Sequence, residues 1–370
     1  MSFYEECLRY AGYDLNKTFG AVSKIDINRA IDSEDRSVKD LIALLSPAAE
    51  GSLETMAEKS RELTLKYFGR TIQLYTPMYL SNYCENRCLY CGFNTDNKIE
   101  RRSMGPEEVK KEAQFICGTG LKHILILTGE SRSMSPVSYI SDNIKILKEY
   151  FSSISIEVYP LSEPEYSELV SNGVDGLTIY QEVYDKKIYD TVHPSGPKSD
   201  YIFRLDAPER GAKAGMRNVN IGVLLGLNVW RIEAFSMALH AKYLQDKFPN
   251  VEIGVSLPRI RPQVRGFKAD YEVSDKNLVQ IILAMRLFLP RLGIALSTRE
   301  RPGLRENLVS LGVTRMSAGS TTRVGGHTIG HEDDDSAFQF EISDSRNAEE
   351  IKAMLNRNGY QAVFKDWTHI

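Results

Sequence analysis

The 370-residue sequence predicts an α/β protein, a TIM-type (β/α)8 barrel with an N-terminal helical extension and a C-terminal cap. Three observations predict it. Beyond residue 70, eight short β-rich runs alternate with helical patterns, as a string of βα units would. Most of these runs are near-continuously apolar, as parallel strands covered on both faces are. Polar and charged residues collect directly after the runs, at the end where such a barrel gathers its chemistry. The same alternation allows an open doubly wound sheet as the alternative.

Residues 1–70 read as the helical extension. Val38, Leu41, Ile42, Leu44 and Leu45 recur at helical spacing, and Met56, Leu63, Leu65 and Phe68 resume the pattern after Gly51. Residues 71–320 read as the barrel. Its strands are predicted at Ile72–Met78, His123–Leu127, Ser155–Tyr159, Gly176–Tyr180, Asn220–Leu224, Glu252–Ser256, Ile294–Ser297 and Thr314–Ser317. Its helices are predicted at Glu107–Cys117, Val137–Tyr150, Pro164–Ser171, Tyr201–Ala214, Ile232–Gln245, Asp275–Leu289 and Gly303–Ser310. Ser274 supplies a helix start and Gly173 a helix stop. Residues 321–370 read as the cap. A glycine-rich loop, Ala318 to Gly330, leads to an acidic run, Glu332 to Asp335, then a helix at Ala348–Asn358 and a strand at Tyr360–Phe364.

A net charge of −3 with both signs interspersed points to no nucleic-acid or polyanion partner. The acidic start, Met1 to Glu6, has no cationic region with an apolar run behind it, so no signal peptide is predicted. Apolar runs such as Ile281 to Met285 are broken by charge well short of a membrane span. A cytoplasmic protein without a membrane partner is expected.

Cys84, Cys88 and Cys91 form a C-x3-C-x2-C loop with Tyr90 directly before the last cysteine. Three close thiolates converge on something, since a disulfide among them would strand the third. A structural zinc site needs a fourth ligand from a second pair, and the remaining cysteines, Cys7 and Cys117, are isolated. Three ligands on a four-iron cluster leave one iron open to bind a small molecule and pass it an electron. A zinc knuckle and three unrelated thiols remain the plainer alternatives. The strand ends add Thr128-Gly129-Glu130, Tyr180-Gln181-Glu182, Arg259 with Arg261, Thr298-Arg299-Glu300 and Ser317-Ala318-Gly319. Charged groups ending apolar strands are costly if they only point into packed core. No glycine stretch matches a dinucleotide or phosphate loop.

The cysteine motif, closed by Gly92-Phe93, resembles the signature of the radical S-adenosylmethionine enzymes. That resemblance implies a [4Fe-4S] cluster on Cys84, Cys88 and Cys91, with S-adenosylmethionine chelating the open iron and yielding a 5′-deoxyadenosyl radical. It implies cofactor contacts from Glu130, in place of the superfamily's Gly-Gly-Glu acid, from Glu182, and from Arg204 as a fork for the cofactor carboxylate. Tyr90 and Ile221-Gly222-Val223 resemble the positions that flank adenine. For Arg204 the plainer reading is a surface ion pair.

Further strings narrow the resemblance: Pro77 to Asn82, Tyr180 to Tyr184, Leu296 to Glu300, Lys365-Asp366-Trp367, and Leu44 to Ala49 in the extension. In this order they resemble the aromatic amino acid lyases, most closely the 2-iminoacetate synthase family, the tyrosine lyases of thiamine thiazole biosynthesis. The implied reaction splits the Cα–Cβ bond of L-tyrosine into 2-iminoacetate and p-cresol, with 5′-deoxyadenosine and methionine formed. Tyr79, Arg299 and Ser317 resemble the groups that hold the substrate's amino and carboxylate ends. For Arg299 the plainer reading is a salt bridge to Glu300 or Glu306. No cysteine follows Cys117, which leaves no ligands here for the second cluster of the hydrogenase-maturation tyrosine lyases. Tryptophan lyases share the backbone-holding groups and stay open as the alternative, as does an iron–sulfur electron-transfer or binding protein. The implied partners are L-tyrosine, thiazole synthase, and a flavodoxin or ferredoxin as electron donor. The acidic run Glu332–Asp335 reads as a solvated loop that could aid docking of the synthase.

Overall fold

A computed structural model describes residues 2–10, 12–263, 266–329 and 338–365. Among them nine parallel strands form one sheet: β1 (Thr71–Ser81), β2 (His123–Thr128), β3 (Ser153–Glu157), β4 (Gly176–Glu182), β5 (Asn218–Val223), β6 (Glu252–Ser256), β7 (Gly293–Leu296), β8 (Arg315–Ser317) and β9 (Gln361–Val363). The order runs β2 to β8 in sequence and returns to β1, which also pairs with β2, so the first eight close a barrel. The open doubly wound alternative is excluded by that closure. β9 pairs with Thr71–Gln73 at the foot of β1, below the first residue of β1 that meets β2, Thr76.

Five described helices precede the barrel: α1 (Phe3–Leu8), α2 (Leu15–Gly20), α3 (Lys24–Asp32), α4 (Val38–Leu45) and α5 (Leu53–Phe68). The barrel's outer layer consists of α6 (Pro106–Gly118), α7 (Val137–Leu147), α8 (Glu163–Asn172), α9 (Lys186–Val192), α10 (Tyr201–Leu205), α11 (Ala207–Lys213), α12 (Trp230–Lys247), α13 (Asp275–Phe288) and α14 (Pro302–Leu308), with α15 (Ala348–Arg357) leading into β9. Helices α4 and α5 pack on α13. Polar stitching joins them: buried Arg36 donates to the carbonyls of Ala30, Ile31 and, at 3.1 Å, Leu287, and Gln280 donates to those of Leu44 and Ser46. Helix ends leave carbonyls without intrahelical partners, and these side chains satisfy them.

Two helices depart from the sequence expectation. The stretch expected to be one helix from Tyr201 to Ala214 breaks at Asp206, because Pro208 has no N–H to offer the Arg204 carbonyl. The segment Lys186–Val192 is an additional helix, started by Asp185, whose carboxylate accepts from the amides of Lys187 and Ile188 at 2.9 and 3.0 Å.

The barrel interior also differs from an apolar core. Alternate residues point inward. Gln73, Tyr75, Ser153, Ser155, Thr178, Tyr180, Asn218 and Asn220 line a polar cavity inside the barrel, while Ile72, Leu74, Ile154, Ile156, Leu177, Ile179, Val219 and Ile221 are buried under the helices. Among the described residues no helix is long and apolar enough to cross a membrane. The acidic run Glu332–Asp335, Gly330, Asp366 and Trp367 lie outside the described residues.

Candidate active site

The cysteine loop leaves β1 at Ser81 and crosses the mouth of the barrel. Cys88 is buried, while Cys84 and Cys91 are half-buried. Arg101 clamps the loop from below, donating to the carbonyls of Asn82, Phe93 and Asn94 at 2.6, 2.9 and 2.7 Å. The loop passes directly over Gly129: a methyl group there would drive into the Tyr83 carbonyl oxygen and crowd Cys84 Cβ at 3.2 Å. Gly129→Ala is therefore expected to cost about 1–3 kcal/mol, as overpacking does, and to lower iron loading with it. Thermal unfolding and iron assay of the variant check both.

Asn86, which no sequence pattern singles out, is the hub of the loop. Its Nδ2 donates to Glu130 Oε2 at 2.7 Å and approaches Cys84 Sγ at 3.7 Å, while its Oδ1 accepts from the Lys198 amide at 2.8 Å. The Glu130 carbonyl in turn accepts from the Glu85 amide at 2.8 Å. One buried amide thus ties together the loops after β1, β2 and β4.

Glu182 ends β4 at a bulge, with φ 70°, among the described residues the one non-glycine residue in the left-handed region. Such conformations concentrate at functional sites. Its carboxylate accepts from Lys198 Nζ at 2.7 Å. Burial pushes the Glu182 carboxyl up, but Lys198 and Arg204 outweigh it and hold the group below its ordinary value. Arg204 is buried, not a surface ion pair. Its Nε donates to the Tyr180 carbonyl at 2.7 Å, and among the described residues its two terminal nitrogens have no hydrogen-bond partner. Tyr90 donates to His193 Nε2 at 2.6 Å, and His193 Nδ1 meets the Tyr189 carbonyl at 2.9 Å, which fixes the tautomer. Burial, Lys198 and Arg204 lower the His193 pKa to about 2, so the ring stays neutral and accepts from Tyr90.

One cavity brings Tyr90, Cys91, Glu182 and Arg299 together. Arg299 lies three residues beyond the end of β7, its guanidinium stacked 3.3 Å above the Phe340 ring. Neither expected ion pair forms. Glu300 is bound by Arg259 and Arg261, and Glu306 by Asn358, so among the described residues no carboxylate pairs with Arg299. Tyr79 donates to Gln339 Oε1 at 2.7 Å, and Gln339 Nε2 lies 3.8 Å from Cys91 Sγ. Ser317 is placed differently from Arg299: its Oγ accepts from the Thr298 amide at 3.1 Å, bracing the turn that carries Arg299, and it does not line the cavity. Within Ile221-Gly222-Val223, Gly222 faces inward and a methyl there would strike the Tyr180 ring. The side chains of Ile221 and Val223 turn toward the helices instead.

The cavity also holds Glu157, the last residue of β3, although the sequence pattern places it in mid-strand. Burial, then Glu182, raise its carboxyl to about 7 against the opposing pull of Arg299, Arg204 and Lys198. Its signal is legible in the alternation Ser153-Ile154-Ser155-Ile156-Glu157, polar on the interior face. Gln339 and Phe340 have no such signal, because they arrive from the C-terminal segment.

The donor set fits a cluster. Burial lifts the thiols of Cys88 and Cys91 to about 12 and about 11, and the cysteines further raise one another. They are near neighbours, yet among the described residues no three His, Cys, Asp or Glu side chains converge as one ion requires. Three thiols in one loop are the donor set that a polynuclear cluster takes, and its iron would displace the thiol protons.

Residues 78–238 match the family model described as the Radical SAM superfamily, and residues 256–361 the one described as the Biotin and Thiamin Synthesis associated domain. The chain is 37% identical to the 2-iminoacetate synthase of Escherichia coli (strain K12), over 96% of this chain and 93% of that protein. It is 36% identical to the enzyme of that name from Salmonella typhimurium, over the same shares. Its fold is similar to the X-ray structure of the FeFe-hydrogenase maturase HydG from Carboxydothermus hydrogenoformans, with TM-score 0.86, 31% identity, and coverage of 95% of this chain and 84% of that one. Closed barrel, cysteine loop and near-full-length identity together place this chain in the 2-iminoacetate synthase family of radical SAM proteins.

Proposed function

We propose that the chain is a tyrosine lyase, converting L-tyrosine to 2-iminoacetate and p-cresol with formation of 5′-deoxyadenosine and methionine, in supply of the thiazole of thiamine. A [4Fe-4S] cluster with S-adenosylmethionine supplies the hydrogen-abstracting 5′-deoxyadenosyl radical. The observation that carries the substrate class is Arg299: a guanidinium inside the barrel, without a carboxylate of its own, in the same cavity as Cys91. Glu182 and Glu157 act on it through space without a hydrogen bond, so among the described residues its fork meets no carboxylate, and an amino acid carboxylate is the ligand a planar fork matches.

In this reading Cys84, Cys88 and Cys91 hold the cluster, and Asn86 fixes their loop. The open terminal nitrogens of Arg204 bind the cofactor carboxylate. Glu130 and Glu182 receive its amino and ribose donors, with Tyr90 held against it by neutral His193. Arg299 takes the substrate carboxylate on the N–H edge of its fork, whose plane is held by stacking on Phe340 and whose turn is braced by Ser317 through the Thr298 amide. Tyr79, with Gln339, closes the substrate's other side and keeps water from the reacting atoms. 2-Iminoacetate hydrolyses readily, which favours direct transfer to thiazole synthase, and a flavodoxin or ferredoxin in the cytoplasm supplies the electron.

Anaerobic incubation with S-adenosylmethionine, reductant and an equimolar tyrosine–tryptophan mixture tests the reading. p-Cresol is the expected product; dominant 3-methylindole-type products would refute it. Arg299→Lys keeps the charge but loses the fork. It is expected to weaken tyrosine binding by roughly 1.5–3 kcal/mol, the worth of a hydrogen bond to a charged group, while binding of S-adenosylmethionine survives. Unchanged tyrosine affinity in calorimetric titration would remove Arg299 from the substrate site.

A further inference from the structure

We propose that Glu157 is the residue that recognises the phenol hydroxyl of the substrate, accepting its hydrogen bond at the inner end of the cavity and so selecting tyrosine over phenylalanine. This assignment rests on the tyrosine lyase reading above. Four observations carry it.

Glu157 lines the same cavity as Arg299 and Cys91. It also stands deeper in the barrel. In register it is level with Leu127 on β2, which pairs with Tyr79 inside β1, whereas Arg299 lies beyond the end of β7. A substrate whose carboxylate sits on Arg299 near the mouth can therefore direct its ring inward toward Glu157.

The walls at that depth are aromatic. Tyr75, Tyr79 and Tyr180 all have Glu157 among their electrostatic neighbours, Tyr79 buried and Tyr75 and Tyr180 half-buried on strands of the barrel. Offset or edge-on contact with such rings suits a phenyl group.

Glu157 accepts no hydrogen bond from any described residue, although its carboxyl is enclosed; what surface it retains belongs to the cavity. Glu182, by contrast, has its lysine, and Glu300 its arginines. A buried carboxyl without a donor is unfavourable unless a ligand brings one. The substrate carboxylate already has its counterpart nearer the mouth, in Arg299, and the amino group on the same carbon stays beside it there. The phenol hydroxyl is the donor left over.

The test uses reconstituted holoenzyme with S-adenosylmethionine and no reductant, so that binding is measured without turnover. The affinities of tyrosine and phenylalanine are compared for the parent protein, Glu157→Leu and Glu157→Gln. In Glu157→Leu, tyrosine is expected to bind about 10- to 150-fold more weakly, the fold-change of one hydrogen bond to a charged group, with phenylalanine unchanged or tighter. Glu157→Gln keeps an accepting oxygen and is expected to retain most of the preference. Thermal unfolding and iron content verify that each variant folds and loads, and should Glu157→Leu not, Glu157→Met, which also removes both accepting oxygens, takes its place. In the variant without an accepting oxygen, an equal loss for both amino acids would put Glu157 on the shared amino group, and no loss would put it outside recognition altogether; either overturns the assignment. A parent protein that yields no p-cresol from tyrosine would fail separately, at the level of the lyase reading, and would take this one with it.

Discussion

Replacing Cys88 with alanine is expected to leave a folded protein without a [4Fe-4S] cluster and without p-cresol formation. Cys88 is the most enclosed of the three loop thiols, 5% exposed, and no other cysteine can take its place. Cys7 belongs to the N-terminal helices. Cys117 lies at the end of α6, where Lys122 Nζ approaches its sulfur at 2.8 Å. Once S-adenosylmethionine occupies one iron, three protein thiolates are the full complement, so losing one leaves two irons without a protein donor. Iron and sulfide assays with product analysis measure the effect. The double change Cys7→Ala with Cys117→Ala should leave iron content and turnover intact. Full loading and turnover of Cys88→Ala would eliminate the cluster assignment.

Asp344→Ala is expected to destabilise the protein by about 3–5 kcal/mol, the cost of leaving a buried charge without its partner. Arg305 and Asp344 are both fully buried and lie 2.5 Å apart, and Arg305 also donates to the Ser317 carbonyl. Arg346 covers the same carboxylate at 2.7 Å. Burial pushes the Asp344 carboxyl up, but Arg346 and Arg305 outweigh it and hold it below its ordinary value. Its stabilisation is thus present above the unfolded carboxyl pKa and is lost as pH falls through the lower folded value. The variant should accordingly show a shallower loss of stability in acid than the parent.

The same substitution should also reach the site. The amides of Ser343 and Asp344 donate to the Thr298 carbonyl at 3.0 and 3.1 Å, and this segment carries Gln339 to Tyr79 and Phe340 to Arg299. Tyrosine affinity is expected to fall with stability. The apolar pair Arg305→Met with Asp344→Leu should restore most of the stability, since a buried ion pair and a packed apolar pair are often nearly equivalent. Chemical unfolding of the parent and the two variants checks the series, and an Asp344→Ala variant as stable as the parent would refute the account.

What the sequence determined by itself were the quantities carried by local pattern. Apolar runs of strand length set between helical repeats specified β1 to β8, because a strand enclosed on both faces must be apolar over its length where helices cover it. The C-x3-C-x2-C spacing specified the cluster loop, since thiol convergence is a matter of a few residues. Strand-end position specified Glu182 and Arg299 as walls of one cavity, because closing the barrel brings all carboxyl ends to one mouth.

Packing settled which of those charges were already spoken for. Glu300, adjacent to Arg299 in sequence, turns to Arg259 and Arg261, and among the described residues the guanidinium beside it makes no ion pair. Asn86 becomes a hub only when three loops meet over it, and Gln339 reaches Tyr79 across 260 residues of chain. Ser317 braces a neighbouring turn instead of lining the cavity, and Glu157 acquires its meaning from rings on β1 and β4. Partnership between charges depends on distance and on shielding from water, both fixed by packing, and neither is encoded in the order of residues along a strand.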